Sequence, residues 1–255
     1  MIVCKSPAEL EKMRAANALV ADVLAELARM VSAGVTTSEL DAAAEKLVRE
    51  GGAEPAFKGY RGYPSTLCAS VNDQVVHGIP SALALAEGDI ISLDMGVKLN
   101  GYYGDSAVTV PVGRVSEEAA TLLRVTQESL EKGIAQVRLG GRISDIGHAI
   151  QQHVEAHGFS AVREFVGHGI GAALHEEPQI ANYGEPGRGP RLAEGMTLAI
   201  EPMVNVGRPA VKVLADGWTA VTKDGSLSAH FEHTVAVTKA GPLVLTRRSV
   251  PAQTA

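Results

Sequence analysis

Cysteine is nearly absent: the 255 residues hold only Cys4 and Cys68. Two thiols so far apart cannot build a disulfide framework, and the pattern fits a reducing compartment. No apolar run approaches the roughly 18 residues that a membrane-spanning helix needs. The opening MIVCKSPAEL has too short an apolar stretch for a signal peptide. No long basic run occurs and the net charge is −6, so nothing points to nucleic acid. These absences predict a cytoplasmic protein with neither a membrane nor a nucleic-acid partner.

What is present is ordinary globular composition, 45% hydrophobic and 20% charged. A chain of this length buries roughly 70–75% of the surface its unfolded form exposes, so the core needs no staples. Ser6-Pro7-Ala8-Glu9 supplies an N-cap hydroxyl, a proline at the first helical position and a capping-box acid. Apolar residues then recur at three- and four-residue steps, which predicts a helix to about Val31. Thr36 and Glu39 repeat the cap, and Gly51-Gly52 ends a second helix. From about Ser65 to Val110 short apolar runs broken by Gly, Asn and Pro read as strands.

The same order recurs after Gly113, with helices expected from about Ser116 to Val137 and from near Ser144 to Gly158. Ser38-Glu39-Leu40 falls on Ser144-Asp145-Ile146 at an offset of 106. Ile90-Ile91-Ser92-Leu93-Asp94 matches Thr197-Leu198-Ala199-Ile200-Glu201 at 107, and Asp105 with Val108 matches Glu232 with Val235 at 127. Each half therefore ends in a strand carrying an acid, a connection, and a second strand that opens on an acid. The pattern predicts an α+β fold of pseudo-twofold symmetry, a curved antiparallel sheet covered by two pairs of helices. It forms one domain over 1–255, with halves of about 1–113 and 114–255.

Asn100-Gly101 signals a two-residue hairpin turn. Facing residues then have numbers summing to 201, so Asp94 faces Ala107, and Asp105 sits one diagonal step away on the same face, about 7 Å between backbones. Two unpaired carboxylates there would repel, and a divalent cation removes the conflict. The plain alternative is a pair of solvated acids flanking a turn. Glu201 ends the apolar run MTLAI, and an acid at the inner end of a buried strand is expensive unless paired or metal-bound. Glu232 lies between Phe231 and the alternating HTVAVT; either glutamate alone could be a salt-bridge partner. Three of the eight histidines, His148, His153 and His157, fall on predicted helices as surface or packing residues. His77 and His168 share His-Gly-Ile, and His175 leads HEEP; glycine beside them lets ligands approach the backbone. One histidine with four carboxylates is an oxygen-rich set, suited to Mn, Fe(II) or Co more than a thiolate zinc site is.

VGHGIG, HEEP, LDMG with an Asp eleven residues later, IEPM and FEHT together resemble the type I methionine aminopeptidases of the pita-bread metalloenzyme group. The resemblance runs from the first helix to about Leu245. It implies that Asp94, Asp105, His168, Glu201 and Glu232 bind two divalent metal ions (Co, Mn, Fe or Zn), with Asp105 and Glu232 bridging. It further implies substrate contacts from His77 and His175, and a methionine pocket lined by Tyr60, Tyr63, Cys68 and Trp218. A dimetal-bound water would attack the carbonyl after an N-terminal methionine, with Glu201 relaying the proton and His175 at the oxyanion. The expected partners are N-termini of nascent polypeptides at the ribosome, and the expected state is a monomer. The chain departs from the pattern at Phe57, Arg61, Leu174 and His230, the last standing where glutamine is usual. His230 is read as either a hydrogen-bond partner behind the ligands or an extra substrate contact. Two rivals remain: a proline-directed aminopeptidase of the same fold, and a non-catalytic peptide-binding protein on this scaffold. The first usually carries a large N-terminal domain, and the second loses ligands that this chain keeps.

Overall fold

The computed structural model describes residues 1–247. Among these residues four α-helices form, the first three behind a hydroxyl cap: α1 Pro7–Met30, α2 Thr37–Glu50, α3 Glu117–Ile134 and α4 Ile143–Ala156. Ser6 and Thr36 each accept from the backbone N–H three residues on, while Glu9 and Glu39 reach back, completing both capping boxes. At the matching start of α4, Arg142 replaces the hydroxyl residue, yet Asp145 still accepts from its backbone N–H at 2.8 Å. Among the described residues no helix is long and apolar enough to cross a membrane.

The main sheet has nine strands: β1 Glu54–Pro55, β2 Leu67–Val71, β3 Ile90–Leu99, β4 Tyr102–Pro111, β5 Gly167–Gly169, β6 Glu176–Ile180, β7 Thr197–Ile200, β8 Glu232–Thr238 and β9 Gly241–Val244. Their spatial order is β1-β3-β4-β8-β7-β5-β6, with β2 also on β3 and β9 also on β8. All pairs are antiparallel. This is the expected pita-bread architecture, a curled antiparallel sheet with four helices, in a mixed α+β chain.

Each half has its own core. One unites α1 and α2 with β2 and β3 through Val20, Leu27, Leu40, Leu67 and Leu93. The other unites α3 and α4 with β7 and β8 through Leu122, Ile146, Ile150, Leu198 and Val235. The halves meet where β4 pairs β8 over Glu232–Ala107 and His233–Ser106. Side-chain hydroxyls reinforce this short ladder: Ser106 donates to the Glu232 carbonyl at 2.6 Å and Thr234 to the Asp105 carbonyl at 2.8 Å. α1 lies directly against β4, so close that a Cβ at Gly104 would stand 2.8 Å from the Ala16 carbonyl carbon.

Candidate active site

Strand register alone gathers the acids. Asn100 and Gly101 take positive φ, 52° and 82°, and the β3–β4 hairpin pairs Asp94 with Ala107 as the turn requires. Ala107 in turn faces Glu232 across the seam. The β7–β8 pairing (His233 with Ile200) and the following pair Met203 with His230 share one register, which sets Glu201 opposite Glu232. Asp94, Ala107, Glu232 and Glu201 thus form one row. Asp105, two residues from Ala107, shares that face. His168 enters from β5, paired to Ala199, which is paired to Thr234.

The side chains converge accordingly. His168 Nε2 lies 3.6 Å from Glu201 Oε1 and 3.9 Å from Asp105 Oδ2. One ligand atom each from Asp105, His168 and Glu232 lie within 4.8 Å of one another. His168 Nδ1 faces the Gly169 carbonyl at 2.9 Å, a contact only an N–H can make, so Nε2 carries the lone pair. Burial, then the His175 charge, lowers its pKa to about 3, so the ring is neutral.

Asp94, Asp105 and Glu232 are 9%, 3% and 3% exposed. One oxygen of each, Asp94 Oδ1, Asp105 Oδ1 and Glu232 Oε1, has no hydrogen-bond partner. Among the described residues no lysine or arginine forms a salt bridge with any of the four acids. Burial raises the Asp94 pKa to about 7. It holds Asp105, Glu201 and Glu232 well above the usual carboxylate range, and neighbouring carboxylates push in the same direction. Three buried carboxylates and the largely buried Glu201, with orphaned oxygens and no basic partner, offer the donors that a divalent metal centre takes, and two such ions would balance their charge.

Beside the acids opens a cavity lined by Tyr60, Tyr63, Cys68, His77, His175 and Trp218, together with Phe57, Arg61 and Leu174. Tyr63 donates to the carbonyls of Leu67 and Gly78, both at 3.0 Å, and meets Trp218 edge-on at 5.1 Å. Burial pushes the Cys68 thiol well up, so it serves as wall and not nucleophile. His77, at φ 60°, stands edge-on to Phe165 at 5.4 Å and to Trp218 at 6.2 Å. Burial lowers its pKa to about 4. His175 stacks on Tyr60, with Nδ1 3.0 Å from the phenol oxygen, and its ring centroid is 4.1 Å from that of His168. His230 does not line the cavity.

Some contributors escaped sequence reasoning. Asn17, fully buried on α1, accepts from the Asp105 N–H at 3.4 Å and donates to the Met13 carbonyl. Its signal was available: a polar residue inside an apolar helical stripe. Lys5 pairs with Glu176, whose other oxygen accepts from the Ala173 N–H, bracing the chain at His175; nothing local announces a contact 171 residues long. Of the three histidines expected on helices as surface or packing residues, His148 and His153 lie half-buried on α4, and His157 is exposed at the C-cap just past its end. His153 meets Glu128, which also pairs with Arg124, while His157 and His148 face backbone carbonyls.

A model of metallopeptidase family M24 matches residues 11–239, and the chain belongs to that family. Similar proteins that share about half of this chain's residues are methionine aminopeptidases. Methionine aminopeptidase 1 of Bacillus subtilis is 55% identical over 247 residues, covering 97% of this chain and all of the relative. The Clostridium perfringens methionine aminopeptidase is 53% identical over 96% of the chain and 99% of its own length. The crystal structure of methionine aminopeptidase from Thermotoga maritima superposes with a TM-score of 0.96 at 48% identity, covering 97% of this chain and 100% of that one. A prolidase from Pyrococcus furiosus shares the fold alone, at 22% identity and a TM-score of 0.79.

Proposed function

We propose that this metallohydrolase removes the N-terminal methionine from nascent polypeptides whose second residue is small. The observation that carries the reading is the cluster of four carboxylates, three of them buried and Glu201 largely so, none paired with a lysine or arginine and joined by His168, beside an aromatic cavity. Asp94, Asp105, His168, Glu201 and Glu232 would hold two divalent ions, cobalt, manganese, iron or zinc, all of which an oxygen-rich set with one imidazole accepts. Such ions supply Lewis acidity, which brings the pKa of water from 15.7 to about 7 and polarises a carbonyl.

The protein's own groups do the rest. Glu201 accepts the proton of the attacking water and delivers it to the departing amide nitrogen. Tyr60 O–H donates to His175 Nδ1, which leaves the proton of His175 on Nε2 as a donor for the carbonyl oxygen as it gains charge. His77, held neutral by burial, contacts the peptide near the leaving nitrogen. Tyr60, Tyr63, Cys68 and Trp218 enclose the methionine side chain, and Phe57 and Leu174 narrow the same cavity. The chain acts as one catalytic domain over 1–255 in two pseudo-symmetric halves, of which residues 248–255 lie outside those described. It works as a monomer in the cytoplasm, on chains emerging from the ribosome.

Release of the N-terminal residue from Met-Ala-Ser, Met-Phe-Ser and Ala-Pro-Ser in Mn(II) or Co(II) tests this. Met-Ala-Ser should be cleaved with kcat/KM at least tenfold above Met-Phe-Ser. Comparable values would remove the small-residue rule, and faster cleavage of Ala-Pro-Ser would establish the proline-directed activity instead.

A further inference from the structure

His230 is 1% exposed, and neither ring nitrogen has a hydrogen-bond partner. Native interiors satisfy most buried polar atoms, so two orphans on one ring ask for an explanation. A substrate contact does not provide it, because the ring is absent from the cavity wall. The carboxylate it approaches is Glu201, with His230 Nε2 3.8 Å from Oε2. The other oxygen, Oε1, is the one 3.6 Å from His168 Nε2. Glu201 therefore has an imidazole on either side, one on the cavity wall and one behind.

The backbone under His230 is pinned. Its N–H donates to Thr109 Oγ1 at 2.9 Å, and the Thr109 hydroxyl donates back to the His230 carbonyl at 2.7 Å. Since that uses the only proton on Thr109 Oγ1, Ser92 must be the donor in their 2.8 Å contact. Met203 pairs opposite, in the ladder register that also sets Glu201 against Glu232. The ring is thus fixed relative to Glu201 by the sheet itself.

We propose that His230 is a positioning residue: its Nε2–H holds Oε2 of Glu201 and so fixes where Oε1 faces. This rests on Glu201 being a metal ligand and proton carrier. A carboxylate that serves a cation and a proton through one oxygen loses precision if it can rotate, and a donor on the other oxygen stops the rotation. The present 3.8 Å is outside hydrogen-bond range, and a turn of Glu201 that shortens it by about 1 Å closes the contact. Outer partners of this kind typically change metal affinity or activity by about 10–100-fold when removed.

Three variants, His230→Gln, His230→Asn and His230→Leu, test the assignment. Mn(II) affinity is read by competition with a fluorescent chelator, and kcat and KM on Met-Ala-Ser. Glutamine carries its amide nitrogen as many bonds from the backbone as Nε2, whereas asparagine stops where Nδ1 does. Gln should stay close to wild type in both readouts. Leu and Asn should lose about 10–100-fold in Mn(II) affinity, kcat or both, with KM little changed. Wild-type values for Leu overturn the proposal. Equal losses in Gln and Leu overturn it too, because ring shape and not a donor would then be what matters. Should Leu fail to fold, the Gln–Asn contrast decides, with equal values in the two overturning it. A wild-type protein that binds Mn(II) but releases no methionine overturns the peptidase reading, and the affinity measurements still decide His230.

Discussion

Stripping metal from the site should make stability depend on pH in a way the loaded protein does not share. Burial raises Asp94 from an ordinary 3.8 to about 7, so the metal-free fold holds a proton that the unfolded chain has released. A rise of about three units at 1.36 kcal/mol each corresponds to about 4 kcal/mol. That contribution is present in full below 3.8 and is lost as pH climbs through about 7. Asp105, Glu201 and Glu232 shift in the same direction. The histidines oppose it: His77, His168, His230 and His233 sit at about 4, 3, 3 and 4, below the ordinary 6.5. They add stability as pH rises to 6.5 and nothing beyond, so the carboxylate effect stands clear only above that value. The difference between loaded and chelated protein cancels His77 and His233, which are not ligands. Each proton displaced by metal widens that difference by about 1.4 kcal/mol per pH unit. For a chain of this size that is about 3–5 °C in Tm. Differential scanning fluorimetry in Mn(II), at fixed free-ion concentration, against excess chelator should show the gap growing from about pH 6.5 to 7.5. A constant gap, with Mn(II) binding verified by elemental analysis, would refute a shared carboxylate cluster.

Other outcomes follow from single side chains. His175→Ala should keep its metal by elemental analysis and lose about 100-fold or more in kcat, as loss of an oxyanion donor does; unchanged kcat would reassign the residue. Glu201→Gln should abolish nearly all activity, yet melt higher than wild type in chelator near neutral pH, because one of four mutually repelling acids is gone. Gly104→Ala pushes a methyl group to 2.8 Å from the α1 backbone at Ala16 and should destabilise by about 1–3 kcal/mol in denaturant titration. No loss there would mean that α1 can move off β4 freely.

The parts legible in the sequence are those with local grammar. Capping boxes placed the starts of α1 and α2 to the residue, and Asn100-Gly101 fixed a ten-pair ladder by arithmetic alone. The offsets matched Asp94 with Glu201 and Asp105 with Glu232, yet the registers of the halves differ: Glu201 lies directly opposite Glu232, whereas Asp94 faces Ala107 with Asp105 one diagonal step away. Boundaries without such grammar drifted: α3 ends at Ile134, short of the expected Val137, where the chain turns toward Gly140. Contacts with no periodic or spacing signature stayed hidden. Lys5 braces the loop at His175 from the far end of the chain, and Asn17 meets Asp105 across 88 residues. The two readings of His230 were separable only by burial, since strand parity puts the ring on the ligand face either way.

The two halves contribute unequally to chemistry and to selectivity. Their related strands supply the acids: Asp94 from within β3 and Asp105 from within β4, Glu201 just past the end of β7 and Glu232 at the start of β8. Symmetry alone would build a charge-balanced metal site without direction for a peptide. The first half joins its acids through a two-residue turn. The second half uses the 30 residues between Glu201 and Glu232, and these include the strands Met203–Asn205, Val211–Val213, Ala220–Thr222 and Ser228–His230. Ala220–Thr222 pairs with Gln74–Val76 of the first half, whose next residue is His77. The same connector carries Trp218 into the cavity wall, edge-on to both Tyr63 and His77. The connector therefore adds Trp218 to a wall that the first half supplies through Tyr60, Tyr63 and Cys68, and steadies His77 beside it. The duplicated framework makes the site reactive, and its asymmetric loop gives the site a direction in which to bind a chain end.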